Sequence, residues 1–343
     1  MKTSSQINQN IIFLPIKYFL YILLTSTLLL AQNKPTLVIY TYDSFAASWG
    51  PAPKVKKAFE KECNCNLKFV ATSSAIGALR KIQLEGKNTK ADILLGLDKS
   101  SSSIAKATNL FIPHNIDTSK LSLPVKWTDN EFLPYDYGYF AFVYDSKKTK
   151  KVPNSFEDLL TMPKKFKIII QDPRSSTPGL GLLLWIKKIY GDKADTYWKK
   201  LSPRILTITK GWSEAYGLFL KGEADMVLSY TTSPAYHMIA ENKTNYKTAN
   251  FKEGHYGQVE VSSILKSSKH KKLAKQFLKF TLSETFANII PTTNWSYPVV
   301  QTKKGLPKGF KSLHVPSKML LLDDEKLQKN RKQYQNEWLN AIK

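Results

Sequence analysis

The chain has 343 residues, 42% of them hydrophobic and 23% charged, so it can bury one large core or two smaller ones and is not a disordered protein. Its 51 Lys and Arg outnumber its 27 Asp and Glu, which gives a formal net charge of +24. The lysines are scattered through helix-like segments without a recognition-helix, zinc-finger or aromatic RNA-binding signature, so we expect a solvated lysine surface and no nucleic-acid partner.

The first predicted element is an apolar segment near the amino terminus. Lys17 precedes an uncharged run at 18–31, which has the length of a signal-peptide core and ends in a small residue. We therefore expect residues 1–31 to be a Sec-type signal peptide that directs export. A retained membrane anchor is the alternative, because the apolar residues 11–14 would lengthen the span, although Pro15 and Lys17 interrupt it.

Strand-like and helix-like segments alternate after the signal. The order is a strand at 36–42, a helix at 53–62, a strand at 66–71, a helix at 75–85 and a strand at 91–97. Strands separated by helices run parallel, and ligands of such sheets bind outside the carboxyl ends of the strands. We therefore expect a site in the loops after Tyr42, Ala71 and Leu97.

The two cysteines, Cys63 and Cys65, lie between the first helix and the second strand. No second Cys or His cluster supplies the ligand set of a structural zinc, so we expect no bound metal. In an exported protein the pair forms a small disulfide or remains as two thiols on one face of a strand. The sequence leaves both alternatives open.

A second set of segments predicts another α/β lobe. Its strands are expected at 139–145, 165–172, 204–210 and 224–230, and its helices at about 181–190 and 213–221. The chain then returns through a strand at 256–265, helices near 271–280 and 284–289, and a terminal amphipathic helix at 323–341. Two lobes with more than one crossing are typical of a hinged binding protein, but the same spacing permits an enzyme.

Six segments of the chain resemble the thiamine-binding proteins of bacterial ABC importers, in the order expected for that family. They are VIYTYDSFAASWGPAPKVKKAFE, EGKNTKADILLGLD, YDYGYFAFVYD, QDPRSSTPGLGLLLW, TKGWSEAYGLFLKGEADMVLSYTTSPAYH and TTNWSYP. The resemblance implies the α/β, type II periplasmic-binding-protein fold, in which each of two lobes has a mainly parallel sheet flanked by helices. We place the crossing segments of the hinge near 134–139 and 258–261.

The same resemblance implies a domain organisation and a function. The first lobe would comprise 34–135 with about 262–300, the second lobe 139–260, and a helical segment 301–343 would follow. The chain would be a periplasmic, non-catalytic and monomeric solute-binding subunit without a cofactor. Its ligands would be thiamine and the mono- and diphosphate esters of thiamine, and its partners an inner-membrane ABC permease and the ATPase of that permease.

Thiamine presents a flat aminopyrimidine and a permanently cationic thiazolium, so its site needs aromatic faces. Candidate rings lie in loops or near element ends of the family-like segments, where a ring can stack on a planar cation. They are Tyr42, Trp212, Tyr236 and Trp295. Core packing is the alternative for each ring, because the chain has 7 Trp, 17 Tyr and 17 Phe, most of which must be buried.

Two hydroxyl-rich runs end at a proline, Pro178 or Pro234, where a helix is expected to begin. First-turn amides and the helix dipole attract phosphate, so both runs are predicted to form an anion site. The candidate residues are Ser176, Thr177, Tyr230, Thr231, Thr232 and Ser233. Plain helix capping by the hydroxyl groups is the alternative.

Three further residues are candidates for polar contacts. Asp43 follows the first strand and can face the thiazolium or the pyrimidine, or else cap the following turn. After the second strand the family has an Asp-Gly pair, whereas this chain carries Ser74 and Ala75. A backbone contact to the ligand survives that change, but a carboxylate contact does not.

Two other functions occur on the same scaffold. Thiamine-degrading transferases resemble this family but use a cysteine nucleophile in the cleft, whereas Cys63 and Cys65 fall at the amino end of a strand, away from the expected site. A protein that binds iron or another small anion is the other alternative, and an iron site needs convergent tyrosine, histidine and carboxylate donors. Tyr236-His237 and His255-Tyr256 are the candidates for such a site, and sequence alone does not show whether they converge.

Overall fold

The computed structural model describes residues 34–342, so the predicted signal segment 1–31 lies outside the described part of the chain. Within that part, no helix combines the length and the apolar character needed to span a membrane. The unit described below begins at Thr36.

Twelve strands of the described residues form the sheet framework. They are β1 Thr36–Tyr42, β2 Asn66–Thr72, β3 Ile93–Asp98, β4 Phe111–Ile112, β5 Leu133–Asp145, β6 Ile168–Gln171, β7 Ile205–Thr209, β8 Met226–Tyr230, β9 Tyr246–Thr248, β10 His255–Leu265, β11 Tyr297–Pro298 and β12 Met319–Leu320. The main path runs in the order β2-β1-β3-β10-β5-β8-β6-β7, with β4 and β12 on β10 and with β9 and β11 on β5.

Helices flank these strands. They are α1 Asp43–Ala46, α2 Ala52–Cys63, α3 Ala75–Glu85, α4 Lys99–Ala107, α5 Phe156–Thr161, α6 Thr177–Tyr190, α7 Ala194–Leu201, α8 Trp212–Leu220, α9 Ser233–Ala240, α10 Lys271–Thr281, α11 Glu284–Ile289 and α12 Asp324–Ile342. Short 3-10 turns occupy Gly86–Asn88, Gly191–Lys193, Ser202–Arg204, Ile290–Thr292 and Lys308–Ser312.

The predicted parallel arrangement of the first three strands is confirmed. β1 pairs in parallel with both β2 and β3, and its register places Tyr42 opposite Thr72 at the carboxyl ends of the first two strands. The loops after these strands therefore share one edge of the sheet, where a ligand of an α/β fold binds.

Two long strands cross between the halves of the molecule. The first part of β5 pairs with β10, and its last part, from Phe140 to Tyr144, pairs with β8. β10 lies antiparallel between β3 and β5, so it joins the sheet of β1–β3 to that of β6–β8. We call the half around β1–β3 the first lobe and the half around β6–β8 the second lobe, while the lobe boundaries given above stay a prediction.

Each lobe has a core of its own. Leu37, Ile39 and Phe59 are fully buried in the first lobe, where Phe59 packs edge-on against Phe277 of α10 at a ring distance of 5.0 Å. Phe156 and Trp185 are fully buried in the second lobe and pack edge-on at 4.8 Å. Burial of these large aromatic side chains, together with the aliphatic side chains around them, stabilises each core.

Two predictions concern the start of α6: the hydroxyl run before Pro178 predicts a helix that begins there, which is confirmed, whereas the apolar pattern places the start near Gly181, which is wrong. The helix begins at Thr177, with Pro178 in its first turn. Gly179 and Gly181 interrupt the hydrophobic pattern there because the helix packs closely on the sheet. A Cβ at Gly181 would lie 2.1 Å from the Phe140 ring, and one at Gly179 would lie 2.4 Å from the Gln171 carbonyl oxygen.

Cys63 and Cys65 form a disulfide, which decides between the two alternatives that the sequence left open. Cys63 ends α2, Asn64 adopts the left-handed conformation that closes the helix, and Cys65 precedes β2. The disulfide therefore lies at the amino end of β2, opposite the edge at which ligands of such sheets bind.

Candidate functional site

A cavity of about 610 Å³ lies between the two lobes, and its volume is typical of a site for a small organic molecule. The first lobe contributes the loops after β1 and β2, and the second lobe contributes the starts of α6, α8 and α9. The crossing strand β10 contributes Gln258 and Glu260. We call this space the interlobe cavity.

The structure brings almost all of the predicted site residues together at the interlobe cavity. Those that line it are Tyr42, Asp43, Ser74, Ala75, Ser176, Thr177, Trp212, Tyr230, Thr232, Ser233, Tyr236 and Trp295. Thr231 does not line it. Its side chain is fully buried, and its amide donates to the Tyr139 carbonyl oxygen at 2.9 Å.

Two of the predicted rings that line the cavity are in edge-to-face contact with each other. Tyr236 and Trp295 are perpendicular, with ring centroids 5.2 Å apart. Trp295 has a backbone φ of 56°, a left-handed conformation that is costly for a bulky residue and that persists at functional sites where the surroundings enforce it. The Trp295 amide donates to the Ile290 carbonyl oxygen at 3.1 Å, which helps to hold this conformation.

The third ring, Trp212, is held by contacts within the second lobe. Its indole stacks on Tyr216 with a centroid distance of 4.9 Å, and its Nε1–H donates to Ser229 Oγ at 2.8 Å. Tyr216 in turn lies 2.8 Å from His237 Nε2. The indole therefore reaches the cavity with its polar edge already satisfied and its face available to an apolar or cationic group.

The fourth ring, Tyr42, is positioned by its hydroxyl group. That hydroxyl lies 2.8 Å from Glu260 Oε2 and 3.1 Å from Asn294 Oδ1. Gly96 makes room for the ring, because a Cβ at Gly96 would lie 2.3 Å from Tyr42 Cε1. The ring is therefore fixed from two sides.

Two carboxyl groups meet beneath Tyr42. Asp136 of β5 and Glu260 of β10 are cross-strand partners, and the exposed fractions of their side chains are 0% and 5%. Asn294 Nδ2 donates to Asp136 Oδ2 at 2.6 Å and to Glu260 Oε2 at 3.1 Å. Burial raises the pKa of Glu260 to about 7, and burial together with the charge of Glu260 raises the pKa of Asp136 well above its ordinary value.

Neither hydroxyl-rich helix start uses its N-cap side chain for capping. Ser176 precedes α6 and Thr232 precedes α9 without a side-chain cap bond. Ser233 Oγ accepts from the Tyr230 amide at 3.2 Å and lies 2.8 Å from Ser229 Oγ. Pro178 and Pro234 carry no amide hydrogen, and the Ala235 amide of α9 donates to the Thr232 carbonyl oxygen at 3.0 Å. The hydroxyl groups and the positive ends of the helix dipoles are therefore what these helix starts offer to an anionic group.

The polar candidates of the first lobe have local partners. Asp43 Oδ1 accepts from the Ser44 amide at 2.7 Å, and burial raises the pKa of Asp43. Ser74 caps α3, because its Oγ accepts from the Gly77 amide at 3.2 Å. Both residues line the interlobe cavity while also stabilising the turns that follow β1 and β2.

A second cavity of about 440 Å³ adjoins the first and shares Ser73 and Ser74 with it. Arg80 and Lys210 line this outer cavity from opposite lobes, and neither forms an ion pair with a carboxylate in the described part of the chain. Ser175 also lines it, one residue before Ser176 of the interlobe cavity. The start of α6 therefore faces both spaces.

Several lining residues were not predicted from the sequence. They are Trp49, Tyr216, Gln258, Glu260 and Asn294. A signal existed for two of them, because Gln258 and Glu260 alternate with apolar residues in the strand segment QVEV and therefore share one face of it. Buried polar residues in such a pattern mark a site or a hydrogen-bond network.

Tyr236 lines the interlobe cavity, but the histidines and cysteines considered for the alternative functions are engaged elsewhere. His237 is fully buried between Tyr216 and Glu241, and His255 is fully buried with its Nδ1 2.7 Å from the Phe140 carbonyl oxygen. Within residues 34–342, no group of three or more His, Cys, Asp or Glu side chains could hold a metal ion. Both cysteines are in the disulfide, so the described chain offers no free thiol.

Comparison with known proteins identifies the family. Residues 46–287 match the model of the bacterial extracellular solute-binding proteins. The thiamine-binding periplasmic protein of Salmonella typhimurium is 52% identical over 91% of this chain and 95% of its own length, and that of Escherichia coli is 51% identical over 90% and 94%.

A solved structure of a periplasmic thiamin binding protein is 51% identical to the chain, with a TM-score of 0.88, and covers 90% of this chain and 97% of its own. This similarity confirms the two-lobed α/β fold of the type II periplasmic binding proteins. The chain therefore belongs to the bacterial extracellular solute-binding proteins, within the group of the thiamine-binding periplasmic proteins.

Proposed function

We propose that this chain is the periplasmic solute-binding subunit of an ABC importer and that it captures thiamine without changing it chemically. The observation that carries this proposal is the convergence of residues from separate stretches of the sequence on one cavity between two lobes. The relatives that share about half of its residues over nine tenths of its length are named as thiamine-binding periplasmic proteins, not as enzymes.

The shape and chemistry of the interlobe cavity suit the two rings of thiamine. Trp212, Tyr236 and Trp295 offer aromatic faces, and a cation over such a face gains about 0.5 to 2 kcal/mol. The carboxyl group of Glu260, which lines the cavity, and that of its cross-strand neighbour Asp136 favour a positive charge over a negative one. A flat cationic ligand therefore meets complementary surfaces despite the positive net charge of the whole chain.

We also propose that the mono- and diphosphate esters of thiamine bind. The start of α6, with Ser176 and Thr177, supports a first phosphate in the interlobe cavity. The outer cavity supports a second phosphate, because Arg80 and Lys210 supply positive charge next to the same helix start. The diphosphate group of the ester would pass from the interlobe cavity to the outer cavity beside Ser73 and Ser74.

Transport follows from closure of the two lobes around the ligand. Hinge closure is the usual motion of this architecture, and β5 and β10 are the strands about which it would occur. The closed form would be presented to a membrane permease that an ATPase drives. We propose that the subunit acts as a monomer, because a single chain supplies both walls of the cavity.

Calorimetric titration of the mature protein with thiamine, its monophosphate and its diphosphate tests the proposal. Thiamine should bind and be recovered unchanged, and Trp295→Ala should weaken all three ligands by about tenfold. The Ser176→Ala/Thr177→Ala variant should weaken only the esters. Trp127→Ala, at a partly buried tryptophan outside the cavity, is the matched control and should leave affinity unchanged.

Other results of these titrations would contradict the proposal. Absence of thiamine binding to the folded wild-type protein, or consumption of the vitamin, would contradict its central part. Equal losses of thiamine and ester affinity in the double hydroxyl variant would contradict the assignment of the phosphate to α6 alone.

A further inference from the structure

Glu260, which lines the interlobe cavity, and its cross-strand neighbour Asp136 are two buried carboxyl groups without a partner cation in the described chain. Asp136 and Glu260 form no ion pair with a Lys or Arg in the described chain. They face each other across antiparallel strands, where two like charges are destabilising. An empty cavity therefore favours a state in which the pair keeps protons.

We propose that the Asp136–Glu260 pair is the counter-charge for the thiazolium and that it releases a proton to solvent when the cation binds. The O–H bond of Glu260 breaks, the electron pair stays on the carboxylate, and water or buffer accepts the proton. This inference rests on the proposed function, since it concerns the same cavity and the same ligand.

Hydrogen bonds distinguish the two members of the pair. Glu260 Oε2 accepts from the hydroxyls of Tyr42 and Tyr135 at 2.8 and 2.7 Å, and Glu260 Oε1 accepts from Gln258 Nε2 at 3.0 Å. Donors aimed at both oxygens favour the ionised form of Glu260 once a cation offsets the cost of burial.

Asp136 is less well provided with donors. Asn294 donates to its Oδ2, while its Oδ1 has no hydrogen-bond partner among the described residues. Asp136 does not line the cavity, whereas Glu260 does. The proton that remains after the cation binds therefore stays on Asp136, and the carboxylate that faces the ligand is that of Glu260.

The other groups around the pair do not supply the missing positive charge. The buried Asp98 carboxyl raises the pKa of Glu260 further, and the Tyr42, Tyr135 and Tyr230 hydroxyls are uncharged at neutral pH because burial and these carboxyl groups raise their pKa values. The Arg331 guanidinium of α12 interacts electrostatically with the Asp98 carboxyl group, but it forms no ion pair with Asp136 or Glu260. An incoming thiazolium would be the first cation at this position.

The experiment is calorimetric titration of the mature protein with thiamine at pH 6, 7 and 8, in two buffers that differ in ionisation enthalpy. For a group that titrates near pH 7, we expect release of close to one proton per thiamine at pH 6 and about half a proton at pH 7. The affinity should be about tenfold higher at pH 8 than at pH 6. Thiochrome, a flat and uncharged relative of thiamine, should release no proton.

Variants assign the effect to the pair. Glu260→Gln should abolish proton release at Glu260 and weaken thiamine at pH 8 by tenfold or more, because an uncharged amide replaces the counter-charge. Asp136→Asn removes a neighbouring carboxyl, so the pH dependence should persist but move to lower pH. Glu253→Gln, at a glutamate outside the cavity whose Oε2 also lacks a partner, is the matched control and should behave as the wild type.

The possible failures are distinguishable. If the folded wild-type protein does not bind thiamine, both the proposed function and this inference are overturned. If thiamine binds with no proton release, with proton uptake, or with the same release in Glu260→Gln, the proposed function stands and this inference alone is overturned. Circular dichroism of each variant establishes that it is folded, and Asp136→Asn provides the readout if Glu260→Gln does not fold.

Discussion

Contacts of single residues fix the position of the Tyr42 ring in the interlobe cavity. Tyr42 is held between the Glu260 carboxyl, which its hydroxyl contacts, and the backbone of Gly96, which lies against its ring. Gly96 has a backbone φ of 95°, a conformation that side chains with a Cβ rarely adopt. The position of the Tyr42 ring, which is predicted to contact the ligand, therefore depends on Gly96, a residue that has no side chain of its own to contact the ligand.

Gly96→Ala should destabilise the protein and weaken thiamine binding. The new methyl group would lie 2.3 Å from the Tyr42 ring, so the ring must move, at a cost of about 1–3 kcal/mol in the free energy of unfolding. Urea unfolding and thiamine titration measure the two effects. Gly86→Ala is the matched control, because Gly86 has a φ of 53° and no atom within 4 Å of the added Cβ, so it should lose stability but keep thiamine affinity.

Glu260 should make the ligand-free protein less stable as pH rises. Burial raises its pKa from 4.5 to about 7, so between these values the folded protein keeps a proton that the unfolded chain has lost. That contribution to stability is complete below pH 4.5 and is lost as pH rises through 7, by on the order of 3 kcal/mol. The difference in unfolding free energy between the wild type and Glu260→Gln, followed from pH 4 to 8, should show this slope. A difference that does not change with pH would contradict the prediction.

At the scale of elements, the sequence is most informative where local patterns decide the structure. Apolar runs predict β1, β2 and β3, and Pro178 and Pro234 predict the starts of α6 and α9. Hydrophobic periodicity places the start of α6 too late, because Gly179 and Gly181 serve close packing against the sheet. A tertiary requirement therefore overrides the local pattern at that helix.

Pairing between distant strands is what the sequence does not reveal. Asp136 and Glu260 become neighbours only because β5, a strand of 13 residues, pairs in antiparallel register with β10, a strand of 11 residues. Asn294, which donates to both carboxyl groups, comes from a third segment. The aromatic lining residues could be predicted from residue type and loop position. The carboxyl pair could not, because its position follows from the pairing register of β5 and β10.

At the scale of the whole molecule, the C-terminal helix links the two lobes outside the crossing strands. Trp338 of α12 packs edge-on against Trp198 of α7 in the second lobe, with a ring distance of 6.4 Å. Arg331 of the same helix is buried, and its Nη1 donates to the Ser100 carbonyl oxygen at 3.1 Å and to Ser101 Oγ at 3.0 Å. Since α4 follows β3 of the first lobe, any movement of the lobes must preserve, bend or break this contact.

Arg331→Ala should therefore increase the difference in radius of gyration between the open and closed forms. Loss of two buried hydrogen bonds from a charged donor should cost about 2–4 kcal/mol of stability and loosen the attachment of α12 to the first lobe, where the Lys99–Asp324 ion pair remains. Small-angle scattering should then show a larger decrease in radius of gyration on thiamine binding than in the wild type. Glu337→Gln is the matched control, because it removes the Lys187–Glu337 ion pair of 2.9 Å within the second lobe. If both variants compact to the same extent as the wild type, the Arg331 hydrogen bonds do not restrain the hinge.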